Sequence, residues 1–291
     1  MTVYLFYYIL GMLSLVIAAR NRIRTPAALA GCKNNMQYIR TIQNHHTFSE
    51  NEAESFMEEN EFIKNKKLVS ISPGGYKGFY VMGVCKYIKK HYDLTDYIFS
   101  GASAGAWNSL LMCFTRDIQE IESKIIDSAL QEVNTINRLE NMMKSRLIHE
   151  FKKDDFDLRK LFIGVTTFEH CTPNTTIFNG FESLEDAVNC CIASSHIPLI
   201  TGGLTNVYRN ICSFDGGFSK YPYLNITKSA LHITPDIWKP VLHASSVSLN
   251  ICDYTTLFCK DKFIFHKMIE QGYADSFLNK KQLDSVFMQI A

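Results

Sequence analysis

From residue 67 onward, short apolar runs alternate with longer stretches in which apolar residues recur every three or four positions. Residues 68–71 read as a buried strand and 79–90 as a helix, then 97–99 as a second strand and 106–114 as a second helix. Unbroken apolar runs of that length suit strands covered on both faces, and the 3.6-residue period suits helices packed on them. Strand, glycine turn and helix, twice in succession, predict an α/β fold with a mostly parallel central sheet. Further along, 117–148 predicts one amphipathic helix, and 161–168 and 176–181 predict strands. Ser183 with Asp186 has the spacing of a helix cap, opening a helix that runs to about Ser194. Residues 240–247 predict a further strand, and 263–283 a closing helix interrupted near Gly272.

The N-terminal end follows a different pattern. Residues 3–19 carry no charge and are almost entirely apolar. As a helix they would extend about 26 Å, at the short edge of what crosses a bilayer. Tyr4, Tyr7 and Tyr8 suit the lipid–water interface, and Arg20, Arg22 and Arg24 follow the run directly. The expectation is a transmembrane or signal-anchor helix over 1–20, with the bulk of the protein on the cytosolic side of a membrane. A cleaved signal peptide ending near Ala18 and Ala19 and a helix buried in the protein's own core are the competing readings. Residues 21–66 read as a basic linker followed by a short acidic helix that Ser49 and Glu52 open, and 67–291 as one catalytic domain.

Composition narrows the function classes. The 291 residues carry a formal net charge of +1, which predicts no nucleic-acid surface. Nine cysteines, with no C-x-x-C pair and mostly inside apolar stretches, fit buried free thiols better than a disulfide framework. No cluster has metal-ligand spacing, so no metal is expected.

Three short segments carry chemistry. Gly101-Ala102-Ser103-Ala104-Gly105 lies between a predicted strand and a predicted helix, the setting of a nucleophile elbow. So tight a turn admits only small flanking residues, and it puts Ser103 at a helix N-terminus, where backbone N–H groups favour negative charge. Ser72-Pro73-Gly74-Gly75-Tyr76-Lys77-Gly78 follows the first strand. Consecutive glycines let backbone amides approach an oxygen that becomes negative during acyl transfer. Lys77 adds positive charge nearby. A phosphate-binding loop is the rival reading, but the spacing is not that of G-x-x-x-x-G-K-[ST]. The third segment is Phe214-Asp215-Gly216-Gly217, which by itself is an ordinary turn. A serine nucleophile needs a base from elsewhere in the chain, and Phe214 and Phe218 would partly desolvate Asp215 into that role.

In this order and spacing, the three segments resemble the patatin-like phospholipase family, and Ala193-Ser194-Ser195-His196-Ile197-Pro198 resembles the family's stretch ahead of the aspartate. The likeness covers roughly residues 67–222. It implies a three-layer α/β/α sandwich and a Ser–Asp dyad without histidine, with Ser103 as nucleophile and Asp215 as base. It further implies that the amides of Gly74, Gly75 and Tyr76 form the oxyanion hole, with Lys77, Gly78, Gly101, Gly105, Gly216 and Gly217 supporting the motifs. Pro73 stands where the family usually has another glycine, and Lys220-Tyr221-Pro222 replaces its usual ending after the aspartate. The implied activity is hydrolysis of fatty acyl esters in membrane lipids or acylglycerols through an acyl-serine. The alternatives are a lipid transacylase using the same residues, a catalytically silent lipid-binding or scaffold protein, and a Ser–His–Asp hydrolase drawing on His232, His243 or His266.

Overall fold

The structure, a computed structural model, describes residues 60–169, 172–226, 228–239 and 263–288, together with the backbone of 38–41. Strands β1 (Tyr38–Thr41), β2 (Lys67–Ile71), β3 (Tyr97–Gly101), β4 (Leu161–Glu169), β5 (Thr172–Phe178), β6 (Asn206–Tyr208), β7 (Ile211–Phe214) and β8 (Ser229–Ile233) form one 8-stranded sheet. Its main path runs β1-β5-β4-β3-β2-β8, and β7 joins β4 and β6 beside it. The expected mostly parallel sheet is mixed. Only β8-β2-β3-β4 is parallel; helical crossovers link β2 to β3 and β3 to β4. β5 follows β4, and β7 follows β6, after only two residues each, too few for a crossover, so both pairs are antiparallel.

The helices are α1 (Gly78–His91), α2 (Ala104–Met112), α3 (Ile118–Ile125), α4 (Ser128–Glu132), α5 (Ile136–Glu150), α6 (Leu184–Ser194), α7 (Phe265–Leu278) and α8 (Lys280–Phe287). Alternation along the strands sorts the core. Val69, Ile71, Phe99, Ile163 and Val165 face the helices in the main cluster, whereas Leu68, Ile98, Phe162 and Ile177 face the other way. On that second face, Ile63 from a 3-10 turn (Glu61–Ile63) and Leu224 complete a smaller cluster. Among the described residues it holds no α-helical residue, so the second helical layer of the expected sandwich is not seen there.

Several expected boundaries move for local reasons. The single helix over 117–148 is three, because Asp117, Asp127 and Thr135 each accept a hydrogen bond from a backbone N–H and start a new helix. The closing helix breaks at Asn279 and runs through Gly272 uninterrupted. Gly272 and Gly83 instead let α7 and α1 cross in contact: a Cβ on Gly272 would overlap the Tyr80 carbonyl oxygen, and one on Gly83 that of Ile269. Within the expected linker, 38–41 is an edge strand paired with β5, and 61–63 is a 3-10 turn. Strands β6, β7 and β8 were not anticipated. The expected apolar helix over 1–20, the acidic helix as far as residue 59 and the strand over 240–247 lie outside the described residues. Among the described residues no helix is long and apolar enough to cross a membrane, and no group of histidine, cysteine or acidic residues could hold a metal ion. Cys85, Cys113, Cys190 and Cys191 are buried free thiols, as their apolar settings predict, and Cys212 is half-buried.

Candidate active site

β3 ends at Gly101 and α2 begins at Ala104, so the chain reverses direction at Ser103. Ser103 takes φ 54 and ψ −127, a conformation that side-chain-bearing residues rarely adopt and that costs about 1–3 kcal/mol. The surroundings impose it. A Cβ on Gly105 would overlap the Ile71 carbonyl oxygen, and one on Gly101 would overlap that of Gly105. Two hydrogen bonds then fix the elbow to the sheet. The Ser103 amide donates to Ser194 Oγ at 2.8 Å, and Ser194 Oγ donates to the Gly164 carbonyl of β4 at 2.6 Å.

Asp215 follows β7 and reaches the elbow from the antiparallel side of the sheet. Ser103 Oγ donates to Asp215 Oδ2 at 2.7 Å, and the Gly217 amide donates to Asp215 Oδ1 at 2.6 Å. The Asp215 main chain is held at both ends: its amide donates to the His196 carbonyl at 2.7 Å, and Thr166 Oγ1 donates to its carbonyl at 2.9 Å. The close turn requires Gly216, whose Cβ would overlap the Gly164 carbonyl oxygen. Ser103 and Asp215 are 7% and 5% exposed. Burial raises the Asp215 carboxyl from its ordinary 3.8 to about 6, the bonds from Ser103 and Gly217 holding it lower than burial alone would. Phe214 is buried behind it, whereas Phe218, expected to share that role, is an exposed side chain.

The glycine loop closes the third side. Gly75–Lys77 is a 3-10 turn with Gly75 at φ 51. Gly75, Tyr76, Gly78 and Ala104 line one cavity with Ser103 and Asp215. Gly74 and Lys77 do not line it. Gly74 packs near Pro235, and Pro73 packs against Gly217, so the proline that departs from the family pattern buttresses the aspartate turn. The Tyr76 ring is buried in an aromatic stack with Phe263 and Phe265.

Asn108, not singled out by the motifs, ties the two loops together: its Nδ2 donates to the carbonyls of Gly78 at 3.1 Å and Ala104 at 2.9 Å. Most of the remaining wall is apolar, with Phe79, Met82, Trp107, Leu111, Leu139 and Met143 around about 680 Å³ of space, its open mouth included, and Ser195 and Thr201 adding hydroxyls. One further carboxyl lies among them, that of Glu140, which is buried. The histidines proposed for a triad are elsewhere. His232 Nδ1 bonds Ser70 Oγ at 2.7 Å, His266 is an exposed neighbour of Glu122, and His243 lies outside the described residues. His196 lies beside Phe214 with Nδ1 toward Thr201.

A buried serine on a strained turn, one carboxylate as its hydrogen-bond partner and an apolar cavity at the carboxyl end of β3 can together form and hydrolyse an acyl ester. No curated protein matches the chain by sequence. The family model of the patatin-like phospholipases matches residues 69–224, more than half of the chain and the span that carries every one of these features, so the chain belongs to that family of lipid acyl hydrolases.

Proposed function

We propose that the protein hydrolyses fatty acyl esters of membrane lipids or acylglycerols through an acyl-Ser103 intermediate. The observation that carries this reading is the 2.7 Å hydrogen bond from Ser103 Oγ to Asp215 Oδ2 at the head of an apolar cavity. Asp215 takes the serine proton as Oγ adds to the ester carbonyl, and returns it to the leaving alcohol. The same carboxylate then deprotonates the water that cleaves the acyl-serine. The tetrahedral oxyanion is held by the amides of Gly75 and Tyr76, with that of Ala104 beside the nucleophile as a third donor. Gly74, away from the cavity, shapes the turn rather than donating. Trp107, Leu111 and Met143 receive the acyl chain. No step needs a metal or an organic cofactor, and the hydrogen bond between Ser103 and Asp215 favours an active enzyme over the scaffold alternative; product analysis with an added alcohol or lysolipid separates hydrolysis from acyl transfer.

An insoluble substrate has to be met at a lipid surface. The apolar run over residues 3–19, as a membrane anchor with its basic flank in the cytosol, would hold the domain there. The mouth has an apolar rim of its own. Leu199, 72% exposed, lies with Ile200 and Leu204 in a loop whose Ile197 and Thr201 line the cavity. Leu199→Asp/Ile200→Asp is expected to lower fatty acid release from vesicles by about tenfold while leaving hydrolysis of a water-soluble short-chain ester unchanged. An equal loss on both substrates would contradict the rim's role. The function itself is tested by fatty acid release from mixed-lipid vesicles: wild type releases it, and Ser103→Ala falls to background. If the two release alike, the hydrolase reading is wrong.

A further inference from the structure

Glu140 is out of place in a pocket built for an alkyl chain. It sits on α5 among Ile136, Leu139 and Met143, is 5% exposed, and lines the same cavity as Ser103 and Asp215. Its neighbour is Ser195, whose hydrogen-bonding capacity is nearly exhausted. The one hydroxyl hydrogen of Ser195 goes to the Cys191 carbonyl at 2.9 Å, and the Trp107 indole N–H donates into the oxygen at 3.0 Å. Burial, then the negative charge of Asp215, push the Glu140 carboxyl well above its ordinary value, with Ser195 beside it holding it lower than those two would alone. Its carboxyl is an acceptor on a mostly apolar wall that also carries Asn108, Ser195 and Thr201, close enough to Asp215 to feel its charge.

We propose that Glu140 is the specificity-determining residue of this pocket, its carbonyl oxygen accepting a hydrogen bond from a hydroxyl group that the substrate carries near the scissile ester. An unsubstituted chain leaves that buried acceptor without a partner, whereas a hydroxyl satisfies it, so the site discriminates between the two. The hydroxyl has two chemical sources. It stands on the acyl chain of a hydroxy fatty acid, or it is the free glycerol hydroxyl of a lysolipid or monoacylglycerol. The inference rests on the acyl-ester hydrolase reading above, whose failure would show separately as no turnover of any ester.

The test measures kcat/KM ratios within each protein, so a change in the amount of active enzyme cancels. One arm compares octanoyl 4-methylumbelliferyl esters with and without a hydroxyl at C2 or C3. The other compares a 1-acyl lysophospholipid with its 2-O-methyl ether. Wild type is expected to prefer the hydroxyl-bearing member of at least one pair by about 5–10-fold, and the arm that responds identifies the source. Glu140→Leu is expected to bring that ratio to about one. Glu140→Gln, which keeps a carbonyl acceptor and stays neutral, is expected to keep it. No preference in wild type in either arm overturns the proposal, as does a preference that survives in Glu140→Leu or disappears in an active Glu140→Gln. If Glu140→Leu does not fold, the wild-type and Glu140→Gln ratios decide.

Discussion

Asp215→Asn is expected to lower fatty acid release by about 10³–10⁴-fold and, at the same time, to make the protein more stable. Asparagine keeps the shape of the site: its carbonyl oxygen still accepts from the Gly217 amide, and its NH₂ still faces Ser103 Oγ. What it removes is the ability to take a proton, so the nucleophile is no longer activated. The stability gain follows from burial. The carboxyl is raised from 3.8 to about 6 in the folded protein, a difference worth about 3 kcal/mol once both states are ionised. Because the folded value lies above the unfolded one, stability falls as pH rises from about 4 to about 6 and is level above that. The variant lacks this loss. Thermal denaturation should therefore show a higher Tm for Asp215→Asn at pH 7.5 and converging values near pH 4. In the wild type the same carboxyl is expected to govern activity, with kcat/KM falling tenfold per pH unit below about 6, where the base becomes protonated, and flat just above. An active Asp215→Asn protein would remove the dyad. A stability difference that does not shrink toward acid would remove the burial argument.

Gly105→Ala is expected to cost on the order of 3–5 kcal/mol and to abolish activity, although alanine is the better helix former. The new Cβ would overlap the Ile71 carbonyl oxygen, with the Ser72 carbonyl oxygen 2.8 Å away, and neither is a flexible side-chain end. Either α2 lifts from β2 or the elbow opens, and both displace Ser103. Against a typical total stability of about 5–15 kcal/mol, a lowered Tm of about 10 °C or more is the expected reading. Gly203→Ala is the matched control, since nothing lies within 4 Å of its Cβ position.

The elements that hold the reacting groups were legible because each is a local constraint. A turn that must pass between strand and helix without side chains writes itself as Gly-Ala-Ser-Ala-Gly. The loop that lines the cavity beside Ser103 shows as paired glycines after a strand, and the capping residue Ser183 sits where its helix begins. The join between Ser103 and Asp215 was legible only through the family's order of segments, since the two are 112 positions apart. Other features depend on packing partners that lie far off in the chain. Gly272 looks like a helix breaker until Tyr80 is seen against it. His232 looks like a triad candidate until β8 pairs with β2 and turns it to Ser70. Glu140 had a readable signal that the motifs overshadowed. Residues 136, 139, 140, 143 and 147 follow the i, i+3, i+4, i+7 stripe of a core-facing helix, and Glu140 stands in the middle of it. A carboxyl on an apolar stripe is a question the sequence already asks.

The measurement that tests the central claim most directly is intact-mass and peptide analysis of the protein after a serine-directed fluorophosphonate, before and after incubation with lipid vesicles. The account predicts one adduct, on Ser103, whose formation blocks fatty acid release and is lost in Ser103→Ala. It predicts much slower labelling in Asp215→Asn, because the same proton must leave. Fatty acid release that continues after Ser103 is fully labelled, failure of an active protein to label at Ser103, or equal labelling of another serine such as Ser70 would contradict it.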